Sequence, residues 1–173
     1  MRNLRVFPRV EKKHFKQIEQ IDSRRFGGNV NPEFFALAQK HPELYTVLCH
    51  NNDVAGYGLV VPVSHFAVEA IKRGEMGEDE ILKHVEVRKP EADYIASIAS
   101  DPTAGAILRS RLVGYTLGPL LRSPREAIAV AVSEDGDSIA KEIGLKPIGE
   151  NKTFIGLDGY SPKLFIKPAF EWS

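Results

Sequence analysis

The sequence has little of what marks several common classes of protein. It contains one cysteine, Cys49, which excludes an internal disulfide and a cysteine-rich metal site and fits a reducing compartment. Lysine plus arginine and aspartate plus glutamate both number 23. The chain therefore has no overall field that would favour nucleic acid or an anionic membrane, although a local charged patch stays open.

Long apolar runs are also absent. No such run follows Met1, and no uncharged stretch approaches the length of a bilayer span. A chain of 173 residues suits one domain with a substantial core. We therefore expect a single cytoplasmic domain, residues 1–173, that does not associate with a membrane.

Several catalytic and binding motifs are missing as well. There is no Gly-Lys-[Ser/Thr] phosphate loop, no Gly-x-Ser-x-Gly elbow and no His-x-x-x-His or Cys-x-x-Cys pair. Gly56-Tyr57-Gly58 lies inside a strand-like run rather than in the turn of a dinucleotide site. The sequence thus excludes the usual nucleotide triphosphatase, serine hydrolase and Rossmann sites, and we expect no bound metal.

The segment 92–122 predicts a strand, a turn and a helix. Residues 94–100 are small or apolar, with no charge before Asp101, as in a strand that is buried on both faces. Pro102 and Gly105 then break the strand. The helix that follows has leucine and valine at three- and four-residue spacings. Such a unit points helix N-terminal amides at an anionic ligand.

The rest of the chain alternates predicted strands and helices. We predict strands at 4–10 (an edge strand), 44–50, 54–63 and 127–132, and helices at 11–26, 31–38, 64–73 and 138–143. Gly56 and Gly58 share one face of their strand, which predicts a bulge or the close approach of a ligand or another backbone.

The last third carries three further predictions. Asp137 is predicted to cap the helix at 138–143. Residues 146–149 and 153–157 are predicted to form a hairpin. Residues 64–90 form an insertion whose charged part suggests a lid. The apolar tail, residues 158–173, is expected to dock on the body or on a second subunit, which leaves a homodimer open.

This order of elements resembles the GNAT family of acyl-CoA N-acyltransferases over roughly residues 4–157. The family's pyrophosphate loop, [Gln/Arg]-x-x-Gly-x-[Gly/Ala], is similar to Arg-Ser-Arg-Leu-Val-Gly at 109–114, with Leu112 at the middle glycine. The closing segment Leu-Tyr-x-Lys-x-Gly-Phe is similar to residues 139–145, and its tyrosine falls on Ala140. The resemblance implies an α/β (α+β) fold, with a mixed central sheet of about six to seven strands flanked by helices.

The resemblance also implies a function and a site. It implies transfer of an acetyl group from acetyl-CoA, as co-substrate, to an amine that the sequence does not identify. The implied coenzyme-binding residues are the backbone of Ile98, Ala99 and Ser100, and Arg109, Ser110, Arg111, Val113 and Gly114 at the pyrophosphate. The implied catalytic residues on the thiolate side are Ser133 and Asp135.

Two questions stay open at this point. The general base has several candidates, namely Ser97, Ser100, Asp93, Glu91 and His65. The alternative to an enzyme is a GNAT-shaped module that binds CoA or another ligand without turnover. That alternative rests on Leu112, which would crowd a pyrophosphate unless the loop is displaced, and on the missing tyrosine at Ala140.

Overall fold

The computed structural model describes residues 3–28 and 31–169 and contains seven strands and six α-helices in that part of the chain. The strands are β1 (Leu4–Phe7), β2 (Tyr45–His50), β3 (Asp53–Val63), β4 (Ala92–Ser100), β5 (Glu126–Ala131), β6 (Lys146–Glu150) and β7 (Lys163–Lys167). The helices are α1 (Lys12–Phe26), α2 (Pro32–Lys40), α3 (His65–Lys72), α4 (Glu78–Ile81), α5 (Ala106–Arg122) and α6 (Glu134–Glu142).

The strands form one mixed sheet in the order β1-β2-β3-β4-β5-β7-β6. β4 and β5 run parallel, and the pairs β1–β2, β2–β3, β5–β7 and β6–β7 are antiparallel. The predicted fold class and the predicted number of strands are confirmed, and β1 is the predicted edge strand.

Local sequence signals set the ends of the first two helices. Gly27 ends α1 with φ of 69° and donates its amide to the Ser23 carbonyl, as a left-handed glycine cap does. Asn31 caps α2 by accepting from the Glu33 amide at 3.0 Å, and Pro32 occupies the first helical position, where its missing N–H costs nothing. The predicted helices at 11–26 and 31–38 are both present, and α2 continues to Lys40.

The chain divides into two compact units, which we describe separately. The first unit comprises Met1–Val60 and Ser97–Pro119. Here α5 packs closely on β3, because a Cβ at Gly56 would lie 2.7 Å from Leu112 Cδ2 and one at Gly58 would lie 2.2 Å from Thr116 Oγ1. Leu112 and Thr116 are four residues apart on one helix face. The predicted close approach is therefore made by a helix at both glycines, and at Gly56 also by the Ala99 carbonyl of β4, 2.8 Å from such a Cβ.

The predicted bulge is also present in the first unit. Leu48 pairs with Gly56 and Cys49 with Val54, so Ala55 has no cross-strand partner in β2. The Ala55 carbonyl instead accepts from the Asp101 amide at 2.9 Å. An extra residue thus turns a carbonyl of β3 toward the end of β4.

The second unit comprises Val61–Ala96 and Leu120–Ser173. Its hairpin differs from the prediction, because the strand that pairs with β6 is β7 and not residues 153–157. β7 also pairs with β5, from Ala127↔Lys167 to Ala131↔Lys163. Leu164 and Phe165 supply the buried side chains, at 3% and 0% exposure. Over residues 158–169 the apolar character of the tail is thus explained by an inner strand of the sheet, and residues 170–173 of the predicted tail lie outside the described residues.

The predicted insertion is anchored within the second unit. Met76, Ile81 and Leu82 are buried, the Glu86 amide donates to the Pro62 carbonyl at 2.9 Å, and Val63 forms a bridge with Val85. Buried apolar side chains and bonded backbone are features of ordered structure. These features do not support the prediction that the charged part of the insertion is a lid.

The helix after β5 begins four residues earlier than predicted. Ser133, and not Asp137, is its N-cap, and Ser133 Oγ accepts from the Gly136 amide at 3.2 Å. Asp137 lies within the first turn, where its Oδ2 accepts a hydrogen bond from Lys141 Nζ at 2.5 Å. Serine and aspartate both cap helices well, so the sequence offered two starts, and the earlier one is used.

Candidate functional site

The loop between β4 and α5 is held by its own side chains. The Asp101 carboxylate accepts from the Thr103 amide at 2.8 Å and from Arg24 Nη1 at 3.0 Å. The hydrogen bonds from Thr103, together with the charges of Arg24 and Arg25, lower the pKa of Asp101. The Ala104 amide donates to the Asp101 carbonyl at 2.9 Å, which closes the turn.

Arg109 belongs to the same loop structure. Its Nε donates to the Ala104 carbonyl at 3.0 Å and its Nη2 to the Pro102 carbonyl at 3.2 Å. The guanidinium therefore fixes the backbone just before α5 and keeps a positive charge beside it. This differs from the expected contact with a pyrophosphate, since two of the nitrogens are occupied by the loop.

The loop delivers the N-terminus of α5 to an exposed position. The Leu108 and Arg109 amides donate to the Gly105 carbonyl, so helix geometry leaves the amides of Ala106 and Ile107 without intrahelical acceptors. Gly105, Ala106 and Ile107 are all exposed. A Cβ added at Gly105 would meet nothing within 4 Å, so this helix start is open to an anion.

The predicted pyrophosphate residues lie farther along α5. Ser110, Arg111 and Gly114 are exposed and Val113 is partly buried, all inside the helix. Gly114 lies about 12 Å along the axis from Ala106, since each residue adds about 1.5 Å. The amides from Ser110 to Gly114 belong to the hydrogen-bonded part of the helix. The motif match at 109–114 therefore falls inside α5 and not at its start.

Leu112 does not crowd this loop. It is 1% exposed and packs against Gly56 of β3. Its burial shows why a large side chain is tolerated at the position of the family's middle glycine.

The end of β4 carries the other predicted coenzyme residues. β4 pairs with β5 from Ala92 to Ile95, and β4 itself continues to Ser100. Ile98 is partly buried, and Ala99 and Ser100 are buried. Arg25 of α1 donates to the Ser100 carbonyl at 2.9 Å and to Ser100 Oγ at 3.4 Å, which fixes the last residue of the strand.

The predicted catalytic pair lies at the start of α6 in the second unit. Ser133 Oγ serves as the helix cap, and Asp135 is an exposed residue of the first turn. Ala140, at the family's tyrosine position, is 4% exposed and packs with Ala129, Leu145 and Phe165. No space for a tyrosine is present there.

Two of the general-base candidates, Asp93 and Glu91, have structural roles in the second unit, and a third, His65, also lies there. Asp93 is buried and accepts from Arg125 Nε at 3.1 Å and Nη2 at 2.8 Å. Glu91 Oε2 accepts from the His65 amide at 2.6 Å. The His65 side chain is exposed.

The fourth candidate, Ser97, is part of a buried polar chain that the sequence analysis missed. Ser97 Oγ donates to the Tyr57 hydroxyl at 3.2 Å, and that hydroxyl donates to Asp22 Oδ1. Burial raises the pKa of Asp22, while the bond from Tyr57 opposes that rise in part. A signal was available, since Asp22 follows Ile18 by four residues on the apolar face of α1.

A small apolar pocket lies beside Tyr57 in the first unit. Its lining is Val10, Phe15, Ile18, Phe34, Phe35, Ala38, Tyr45 and Tyr57. The Tyr45 hydroxyl donates to the Phe34 carbonyl at 2.6 Å. The polar chain thus has apolar neighbours, where a charge is poorly solvated.

The described residues contain neither a candidate metal site nor a candidate membrane-spanning helix. Within residues 3–28 and 31–169, no group of three or more histidine, cysteine, aspartate or glutamate side chains is placed to hold a metal ion. In the same ranges, no helix has both the length and the apolar character to cross a bilayer.

Comparison with known proteins gives a match in structure and none in sequence. No family profile and no curated protein matches the chain. The loading GNATL domain of CurA from Lyngbya majuscula superposes with a TM-score of 0.75 at 9% identity, over 96% of this chain and 98% of that one.

Two other solved structures are similar over nearly the whole chain. The GphF GNAT-like decarboxylase in complex with isobutyryl-CoA has a TM-score of 0.73 at 12% identity, over 96% of this chain and 100% of that one. Arabidopsis thaliana Naa50, bound to a bisubstrate analogue of CoA and a peptide, has a TM-score of 0.65 at 15% identity, over 95% and 98%. The chain has the GNAT fold.

Proposed function

We propose that this protein is an acyltransferase that moves an acetyl group from acetyl-CoA to an amine. The observation that carries the proposal is the open start of α5, on a loop built by Asp101, Thr103 and Arg109, within a GNAT fold. Helix N-terminal amides with a nearby cation suit a pyrophosphate. Solved structures of the same fold contain CoA or an acyl-CoA.

The residues at this site fit the coenzyme in chemistry and in space. The amides of Ala106 and Ile107 would receive the pyrophosphate, and Gly105 adds no side chain in its way. Ser110 and Arg111, exposed on the next turn of α5, would lie toward the outer phosphates. Backbone groups of Ile98, Ala99 and Ser100 would accompany the pantetheine arm.

The reaction asks little of the protein beyond positioning and proton transfer. The acceptor must be a neutral amine, its nitrogen attacks the thioester carbonyl, and CoA leaves as a thiolate. We propose an amine as the acceptor and a short acyl group, acetyl, as the group transferred.

Ser133 and Asp135 remain our proposed donors to the thiolate. Ser133 Oγ accepts a hydrogen bond as a cap, and its own proton is still available to donate. Because Ser133→Ala also removes the cap, at a cost of about 1 kcal/mol, its rate must be compared with that of Ser133→Asn, which keeps a capping side chain. Asp135→Asn tests the second group without touching the cap.

The rival interpretation is a module that binds CoA or another ligand without turnover. One of the two observations behind it, the large side chain of Leu112, no longer favours it. Leu112 is buried against β3 and leaves the loop free. The tyrosine absent at Ala140 remains its support, and water or another group must then protonate the thiolate.

The test combines calorimetry with acetyl-CoA and release of the CoA thiol in the presence of a panel of amines. The panel contains small alkylamines, arylalkylamines, aminoglycosides, lysine side chains and peptide N-termini. We expect binding, and thiol release that depends on one class of amine. Binding without release for every amine would favour the coenzyme-binding module. Absence of binding would refute the enzyme and leave only a module that binds another ligand.

A further inference from the structure

Three buried polar groups of the first unit form an ordered chain from β4 to α1. Ser97 Oγ on β4 donates to the Tyr57 hydroxyl on β3 at 3.2 Å, and Tyr57 donates to the Asp22 carboxylate on α1. Tyr57 is fully buried, and Ser97 and Asp22 are 8% and 9% exposed. The hydrogen bonds run in one direction, from Ser97 through Tyr57 to Asp22. The two outer residues, Ser97 and Asp22, retain slight exposure to solvent.

The Asp22 carboxylate lacks the partners of a structural ion pair. In the part of the chain that the structure describes, no lysine or arginine pairs with it, and its hydrogen-bond donor is neutral Tyr57. The titratable groups around it are Tyr57 from β3 and Tyr45 from β2, while Arg25 on its own helix is bound to Ser100. A buried carboxylate without a cation costs stability, and such groups are common where proton transfer is needed.

The position of Ser97 connects this chain with the proposed reaction. Ser97 directly precedes Ile98, Ala99 and Ser100, whose backbone we assign to the acyl-pantetheine arm. We infer that Asp22 is the proton acceptor for the acyl-accepting amine, and that Ser97 and Tyr57 relay the proton to it. This inference rests on the proposed acyltransferase function and adds the general base that function requires.

The relay is balanced in protons and electrons. The ammonium form of the acceptor gives one proton to Ser97 Oγ, Ser97 passes its own proton to the Tyr57 oxygen, and Tyr57 passes its own to Asp22 Oδ1. The amine becomes neutral, Asp22 becomes a neutral carboxylic acid, and Ser97 and Tyr57 regain their starting composition. The amine nitrogen then forms the C–N bond as the C–S bond breaks, and Asp22 later returns its proton to solvent.

The raised pKa of Asp22 is consistent with this role. Desolvation makes the carboxylate a stronger base than an exposed aspartate. Burial also raises the pKa of Tyr57 far above its usual range, so Tyr57 acts as a neutral hydroxyl that accepts and donates in one step.

The test measures kcat and KM against pH for three relay variants, Asp22→Asn, Tyr57→Phe and Ser97→Ala. Tyr45→Phe is the matched control, because it removes a buried tyrosine hydroxyl that bonds the Phe34 carbonyl and lies outside the relay. We expect each relay variant to lower kcat by about 10²–10⁴ near neutral pH, the usual worth of general base catalysis. KM for acetyl-CoA should stay near that of the wild type.

The pH dependence separates a relay from a structural role. Because the relay only deprotonates the amine, the deficit of each variant should shrink as the pH approaches the pKa of the acceptor. A deficit that is constant with pH, or one that Tyr45→Phe shares, would overturn the relay. Ser97→Ala removes only a hydroxyl and keeps the test open if a change at Asp22 or Tyr57 prevents folding.

The outcome also distinguishes failure of the relay from failure of the proposed acyltransferase function. Wild-type turnover together with full activity of all three variants refutes the relay alone. If the wild type acylates no amine, the proposed function fails and the relay fails with it.

Discussion

The start of α5, where we propose that the coenzyme binds, is shaped by single side chains. Leu112 stands at the family's glycine position, yet it points into the core, and Gly105 takes the open place at the helix start. A sequence pattern can identify an arginine and a glycine at the right spacing. It cannot fix the residue at which a helix begins, because several residues near that point tolerate either state.

Two glycine variants discriminate between the two positions for the pyrophosphate. Gly105→Glu should weaken acetyl-CoA binding by at least about 10-fold, since a carboxylate would meet the phosphates at the helix start. Gly114→Glu, which the sequence pattern alone would place at the pyrophosphate, should change affinity far less. Calorimetry on both proteins measures this, and the reverse order of effects would contradict the assignment.

A variant at Ala140 tests whether the family's tyrosine can be restored. Ala140 packs in the apolar cluster of the second unit, and a tyrosine there must displace its neighbours. We expect Ala140→Tyr to lower the free energy of unfolding by about 1–3 kcal/mol without raising the rate, because overpacking of a dense core is costly. Urea denaturation measures the first and thiol release the second; a stable, faster variant would show that the position is open.

At the scale of elements, the face of β3 and the face of α5 are matched within the first unit. Gly56 and Gly58 leave room on the strand, and Leu112 and Thr116 fill it from the helix. Thr116 Oγ1 is buried without a hydrogen-bond partner among the described residues, which shows that fit is favoured here over full polar satisfaction.

Gly58→Ala should therefore be strongly destabilising. Its new Cβ would fall on Thr116 Oγ1 and Cγ2, so we expect a loss of about 1–3 kcal/mol. Gly114→Ala is the matched control, because a Cβ there meets nothing within 4 Å and alanine favours a helix by about 0.5–1 kcal/mol. Thermal unfolding of the two variants would contradict this packing if both shift in the same direction.

Much of the element order follows from the sequence, and its failures have physical reasons. Helix caps such as Asn31 and Gly27, and the apolar strand β4, depend on residues that are close in the chain. They can therefore be predicted from the sequence. β7 was missed because its membership depends on pairing with β5, which is distant in the chain. The Asp22–Tyr57–Ser97 chain was missed for the same reason, since it joins residues 35 and 40 positions apart.

At the scale of the whole molecule, the buried Asp22 should leave a mark on stability. Its pKa is raised above the ordinary value of 3.8 by burial. A raised carboxyl pKa means that its contribution to stability is complete at low pH and is lost as the pH rises through the folded-state pKa. Asp101 and Asp137, whose pKa values are lowered, act in the opposite sense.

Comparison of wild type with Asp22→Asn isolates this contribution. Asparagine can still accept from Tyr57 but carries no charge. The variant should gain stability relative to the wild type as the pH rises from about 4 to 8, measured as the difference in Tm. A difference that is flat with pH, or one that falls, would show that Asp22 is not a desolvated carboxylate.

The most direct measurement of the central claim is the fate of a labelled acetyl group. The wild-type protein is incubated with ¹³C-acetyl-CoA and the panel of amines, and the products are identified by mass spectrometry. If the protein transfers acetyl groups, the label should appear in the amide of one class of amine, in proportion to the CoA thiol released. Label that stays in acetyl-CoA, or is recovered only as acetate at the rate without protein, would contradict it.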